Sequence, residues 1–183
     1  MARIRTIPRE RAAVVLRSLY DAAEKQFGSV PNLFQSMAHR PELLLTFANF
    51  YRELWSGGVV DAKTKELAAL RTAFLNGCHY SVTQHSASGK RCGLSEQQAE
   101  ALGRDDWQAS GLFDEREQAV IRLAEKLTRP PGSVTDDDIQ TLRKWYGESH
   151  LVELNLVVGT MNLTNRFNQG FAVDLEDTET SRR

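Results

Sequence analysis

Apolar residues recur three and four positions apart along almost the whole of this chain, and that spacing leaves little choice of fold. A half-buried strand needs alternation, which is nearly absent, whereas residues at i, i+3, i+4 and i+7 share one side of a helix. From Glu10 to Phe27 the set Ala13, Leu16, Leu19, Tyr20, Ala23 and Phe27 forms such a side, and Gly28 ends it. Pro31 stands where a first helical residue would, opening a short helix through Met37. Pro41 opens another that carries Leu44, Phe47, Tyr51 and Leu54 as far as Gly57-Gly58. Asp61 caps the next, with Leu67, Leu70 and Phe74 on its face and Asn76-Gly77 as its break. A further helix begins at or near Cys78. Ser95 with Gln98, and Asp114 with Glu117, have the spacing of capping boxes and open helices at Glu96 and Glu115. The segment Thr128-Arg129-Pro130-Pro131-Gly132 is the clearest break between helices. Thr135 caps a short helix ending at Gly147, and Ser149 caps a long last one to about Gln169, with Gly170 behind it. Residues beyond Asp174 are charged and expected to fray. The expectation is an all-α protein, one domain over residues 1–183, built as a bundle of seven to nine helices.

Composition narrows the class of function. With 12 glycines and 5 prolines in 183 residues the chain is too poor in both for a turn-rich sandwich, a collagen or a disordered segment. No apolar stretch approaches the roughly 18–20 residues that span a bilayer, so a soluble protein without a membrane partner is expected. Basic residues number 23 and acidic ones 24, a net charge of −1 that offers a nucleic acid no attraction. Met1-Ala2-Arg3-Ile4-Arg5 runs into Pro8-Arg9-Glu10-Arg11 without the apolar stretch of a signal peptide, and the expected location is the cytoplasm. Two cysteines, Cys78 and Cys92, are too few for a disulfide framework. There is no internal repeat. The last helix carries Asn155, Asn162, Asn165 and Asn168, although asparagine is a poor helix former. Asn155 and Asn162 share a face with Gln169 beside Leu151, Leu154, Val158 and Met161, which fits either a half-solvated helix or a polar seam against a second subunit. Asn162-Leu163-Thr164 has the pattern of a glycosylation acceptor but lies in mid-helix and is set aside.

Reactive side chains concentrate between Glu66 and His85. On a helix starting near Cys78, Ser81 lies one turn on and His85 two, so all three project from one face. A cysteine in the first turn meets the positive end of the helix dipole, which favours thiolate, and a protonated His79 would act in the same direction. Tyr80 is a further candidate in a supporting role. Glu66 is twelve residues before Cys78, roughly 18 Å away if one helix ran through both. Only a reversal at Asn76-Gly77 brings it beside Ser81 and His85, where carboxylate, imidazole and hydroxyl share one pocket. The alternative is an uninvolved set: a surface Glu66, Cys78 as a small buried hydrophobe, and His85 as a satisfied polar side chain.

Glutamate, eleven residues, Cys-x-x-Cys, three residues and histidine is the signature of the alkylhydroperoxidase D-like proteins of the carboxymuconolactone decarboxylase superfamily. The segment Glu66 to His85 resembles it. The resemblance extends over residues 25–175 through Val30-Pro31-Asn32-Leu33-Phe34, His39-Arg40-Pro41-Glu42, Gly57-Gly58, Gly93-Leu94-Ser95 and Asn165-Arg166-Phe167-Asn168. It implies a multi-helix bundle of the alkylhydroperoxidase D-like type, a homo-oligomer, no cofactor, and catalysis by Glu66, Cys78, the position of Ser81, and His85. Ser81 stands where the family has its second cysteine, the one taken to react with peroxide. A hydroxyl is not oxidised by peroxide, so a two-cysteine cycle cannot run through residues 78 and 81. Cys92 as a substitute resolver would lie about 20 Å from Cys78 along one continuous helix.

Three functions remain. One is a one-cysteine peroxidase-type antioxidant in which Cys78 attacks a hydroperoxide, His85 and Glu66 carry the proton, and an external thiol or dithiol resolves the product. Another is a lyase or isomerase like the family's decarboxylases, acting on an organic acid or lactone through Glu66, Ser81 and His85. The third is a non-catalytic oligomeric binding protein. Cys78, His79, His85 and Cys92 match no common zinc spacing, and phosphate-loop and dinucleotide motifs are absent. A Ser81-His85-Glu66 hydrolase triad lacks a strained nucleophile turn. His39 and His150 sit at expected helix starts, in structural roles.

Overall fold

The computed structural model describes residues 2–129 and 133–176. Its regular structure is helical, with no strand among the described residues. The α-helices are α1 (Arg17–Phe27), α2 (Asn32–Met37), α3 (Pro41–Arg52), α4 (Ala62–Leu75), α5 (His79–Arg91), α6 (Glu96–Ala101), α7 (Glu115–Thr128), α8 (Asp136–Leu142) and α9 (Glu148–Phe171). A π-turn, Glu53–Gly57, follows α3, and short 3-10 turns occupy Arg9–Arg11, Val14–Leu16 and Trp107–Ser110. The chain forms two compact units. One comprises residues 2–53 and 168–176, the other residues 54–167.

In the first unit Leu16, Tyr20 and Ala23 are buried as their spacing predicts, but the single helix expected from Glu10 is not formed. Ala12 and Ala13 are extended, and Val14 and Val15 are exposed, so nothing compensates the low helix propensity of that β-branched pair. Phe27, assigned to the apolar face, is also exposed. Pro31 sits just outside α2 rather than as its first residue. His39 accepts its structural role: its Nε2 lies 2.8 Å from the Arg5 carbonyl. The backbone N–H of Asn32 donates to the Glu176 carboxylate at 2.8 Å, so the chain is tied down as far as residue 176. The remainder of the tail expected to fray, and the residues Pro130-Pro131-Gly132 of the expected break, lie outside the described residues.

The second unit is built around α4. Every residue from Thr64 to Ala73 is buried, because α5 packs on one side of α4 and α7 on another. Leu67 and Leu70 join Leu94, Leu102, Trp107, Phe113 and Ile121 in one cluster, while Ala68, Ala69 and Ala73 join Val120, Ala124, Leu154, Val157 and Met161 in another. The expected caps form: Asp61 accepts from Thr64 N, and Ser95–Gln98 and Asp114–Glu117 close reciprocal boxes. Thr135 forms a third box with Asp138. Three boundaries differ from expectation. α8 stops at Leu142, not at Gly147; α9 begins at Glu148, directly after Gly147, so Ser149 is inside it; and Gly170 is helical, the end coming at Ala172 with φ 49°. Asn162 accepts from Asn76 Nδ2 at 2.9 Å and donates to Thr128 Oγ1 at 3.3 Å, so this part of the polar seam is satisfied within the chain.

Candidate functional site

The reversal that the site requires is made at Asn76-Gly77. Gly77 takes φ +61°, which a side chain would strain, and the amides of Asn76, Gly77 and Cys78 bond back to the carbonyls of Thr72, Phe74 and Ala73. The chain therefore turns from α4 into α5 as an antiparallel hairpin.

The hairpin brings Glu66 and His85 together: His85 Nδ1 and Glu66 Oε2 are 2.8 Å apart, both side chains buried. The second oxygen of the same carboxylate accepts from Ser88 Oγ at 2.9 Å. Burial pushes the Glu66 carboxyl up, but the charge and hydrogen bond of His85, the Ser88 hydroxyl and the indole N–H of Trp55 together outweigh it and hold the group below its ordinary value. An ionised Glu66 accepts, so Nδ1 carries the ring proton and Nε2 is the nitrogen left to take or give one. The Trp55 ring lies against His85, centroids 6.0 Å apart.

Cys78 is the N-cap residue of α5. Its thiol donates to Ser81 Oγ at 3.4 Å and is 1% exposed. Ser81 thus stands one turn before His85, engaged with the sulfur. His79 is exposed and Tyr80 buried, and neither is among the partners of Glu66. Cys92 follows the last residue of α5. Because α5 is unbroken from 79 to 91, the two thiols lie about 20 Å apart, and both are free. Burial raises the Cys92 thiol, and the Glu66 charge raises it further against the opposing effects of Arg91 and Ser88. Among the described residues no three His, Cys, Asp or Glu side chains are grouped as a metal site.

Two members of the site escape a reading of the motif. Ser88 was readable, since 81, 85, 88 and 92 continue the face of α5 with spacings of four, three and four. Trp55 was not: it arrives from the turn after α3, eleven residues before Glu66, with no periodic relation to it.

Comparisons with known proteins support the fold. The family model described as the carboxymuconolactone decarboxylase family matches residues 41–126. The uncharacterized protein YdfG of Bacillus subtilis (strain 168) is 27% identical over 108 residues, which are 58% of this chain and 72% of that protein. A solved structure of an uncharacterized peroxidase-related protein from Silicibacter superposes with a TM-score of 0.86 at 21% identity, covering 100% of this chain and 95% of the other. A protein of unknown function from Agrobacterium tumefaciens, assigned provisionally to antioxidant defence as AhpD, superposes with a TM-score of 0.70 at 25% identity, covering 77% and 95%. The match over residues 41–126 and these neighbours support the carboxymuconolactone decarboxylase superfamily, with its alkylhydroperoxidase D-like proteins, as the group this chain is similar to.

Proposed function

We propose that the chain is a one-cysteine, thiol-dependent peroxidase. The observation that carries this reading is the bonding of the Cys78 thiol to Ser81 on the helix whose next turn presents His85, itself paired with a buried, charged Glu66. The Ser81 hydroxyl accepts from the thiol and, once the thiol is ionised, donates to it. The thiolate sulfur attacks one oxygen of a small hydroperoxide, the O–O bond breaks, and the sulfur becomes a sulfenic acid. The departing alkoxide leaves as an alcohol with a proton supplied through His85, whose charge Glu66 balances. An external thiol then displaces water from the sulfenic acid, and a second displaces Cys78 from the mixed disulfide, returning its thiol and releasing the oxidised reductant. Turnover of an organic hydroperoxide with an added dithiol, measured in wild type and Cys78→Ala, tests the reading: it requires thiol-dependent turnover that the variant loses.

One observation favours a second reading. The Glu66–His85 pair is complete without sulfur, and Cys78 is 1% exposed. In that reading His85 Nε2 moves a proton on an organic acid or lactone, as a lyase or isomerase would, and activity persists in Cys78→Ala.

A further inference from the structure

We propose that a buried ion pair, Lys65–Glu153, is the positioning device of the site: it clamps the turn that carries Trp55 and so holds Trp55 on the Glu66–His85 pair. Lys65 is 2% exposed, and its ammonium lies 2.6 Å from Glu153 Oε1 while donating to the Leu54 carbonyl at 2.7 Å. The Glu153 carboxylate also accepts from the backbone N–H of Val59 at 2.7 Å and of Val60 at 3.3 Å. The pair therefore grips the turn at both ends, at residue 54 and at residues 59–60, with Trp55 between. Gly58 is part of the grip, because a Cβ built there would stand 1.9 Å from Glu153 Oε1. The carboxylate fits only against a glycine.

The position of Lys65 in the sequence gives the clamp its reach. It is adjacent to Glu66 on α4, and the two side chains leave the helix for different places: Lys65 for the turn, Glu66 for α5. One helix thus anchors both the carboxylate and the indole that lies beside it. Glu66 is faced from α5 by His85 and Ser88, from just beyond α5 by Cys92, and from the clamped turn by Trp55. A buried ion pair is a poor source of stability, which leaves positioning as the better account of this one.

The role of the Glu66–His85 pair as proton carrier rests on the function proposed above, so the test reads the carboxyl itself as well as turnover. Two signals are followed in the full chain: the side-chain 13C titration of Glu66, assigned with Glu66→Gln, and the 19F resonance of 5-fluorotryptophan at position 55, assigned with Trp55→Phe. Gly58→Ala and Glu153→Gln are expected to shift the Trp55 resonance and to raise the Glu66 midpoint toward its ordinary value. Lys65→Arg, which keeps the charge, is expected to leave both near wild type. Leu142→Ala, a core truncation in the same unit, is expected to lower stability without moving either signal. Turnover should fall by about 100-fold in the clamp variants, as for a misplacement distant from the chemistry. Folded Gly58→Ala or Glu153→Gln protein with an unchanged Trp55 resonance and an unchanged Glu66 midpoint would overturn the proposal. A Glu66 midpoint that rises equally in Leu142→Ala would do the same. Signals that respond as expected in a protein inactive toward every hydroperoxide and acid tried would leave the clamp standing and remove the functional reading alone.

Discussion

His85 and Ser88 bond the Glu66 carboxylate beside Trp55, and the sign of its response to acid follows. Its folded value lies below the ordinary 4.5, so the stabilisation is complete above about that pH and is lost as the pH falls through the lower folded value. Urea midpoints measured between pH 6 and 3 should therefore drop on acidification, and the drop should be smaller in Glu66→Gln. The thiols offer a second check. Cys92 is partly exposed and Cys78 is buried, so mass spectrometry after limited iodoacetamide treatment should find residue 92 modified first. Glu66→Gln removes one of the influences raising the Cys92 thiol, and residue 92 should then react faster at a fixed pH. Restoring the missing thiol with Ser81→Cys should create a reversible disulfide to Cys78, one helical turn away, and raise hydroperoxide turnover with a dithiol. The pairs Glu66–His85 and Cys78–Ser81 were readable because a spacing in one dimension became a hairpin and a helix face. Trp55 was not, because its place depends on a loop held by side chains far away in sequence.

The helix ends that were legible are those with a chemical stop written into them. Asp61, Ser95, Asp114 and Thr135 supply oxygens to orphan amides, and Gly28 and Gly77 supply positive φ. The start of α1 and the end of α8 were not legible, since packing decides them. Turns after Leu142, closed by Trp145 N to the Leu142 carbonyl, let both Leu142 and Tyr146 reach the core, which a helix continued to Gly147 need not do. Ser149 misled because Gly147 already provides the break. Asp61→Ala should cost about 1 kcal/mol for the cap and should also release Arg116, paired with Asp61 at 2.7 Å. Gly77→Ala should cost about 1–2 kcal/mol through its left-handed backbone, with denaturant midpoints as the measure of both.

α9 leaves an apolar stripe uncovered. Val152, Leu156 and Leu163 are exposed on one face, with Gly159 between them at a spacing of four, three and four. A Cβ at Gly159 would meet nothing in this chain, so a glycine there gives up about 1 kcal/mol of helix propensity. We propose that a second copy of the chain covers this face. Light scattering at micromolar concentration should give a multiple of 20.6 kDa, and Gly159→Ala should stabilise the isolated chain while shifting the mass downward. The burial of α4 has a kinetic consequence. Ten consecutive residues, three of them charged, are enclosed there, and each charge has its partner on another element: Lys65 on Glu153, Glu66 on His85, Arg71 on Glu125. Exposing the whole buried stretch of α4 to water breaks all three of these pairs. Its amide protons should therefore exchange with deuterium only when the whole unit of residues 54–167 unfolds, at one common rate, while those of the short α6 and α8 exchange through smaller openings.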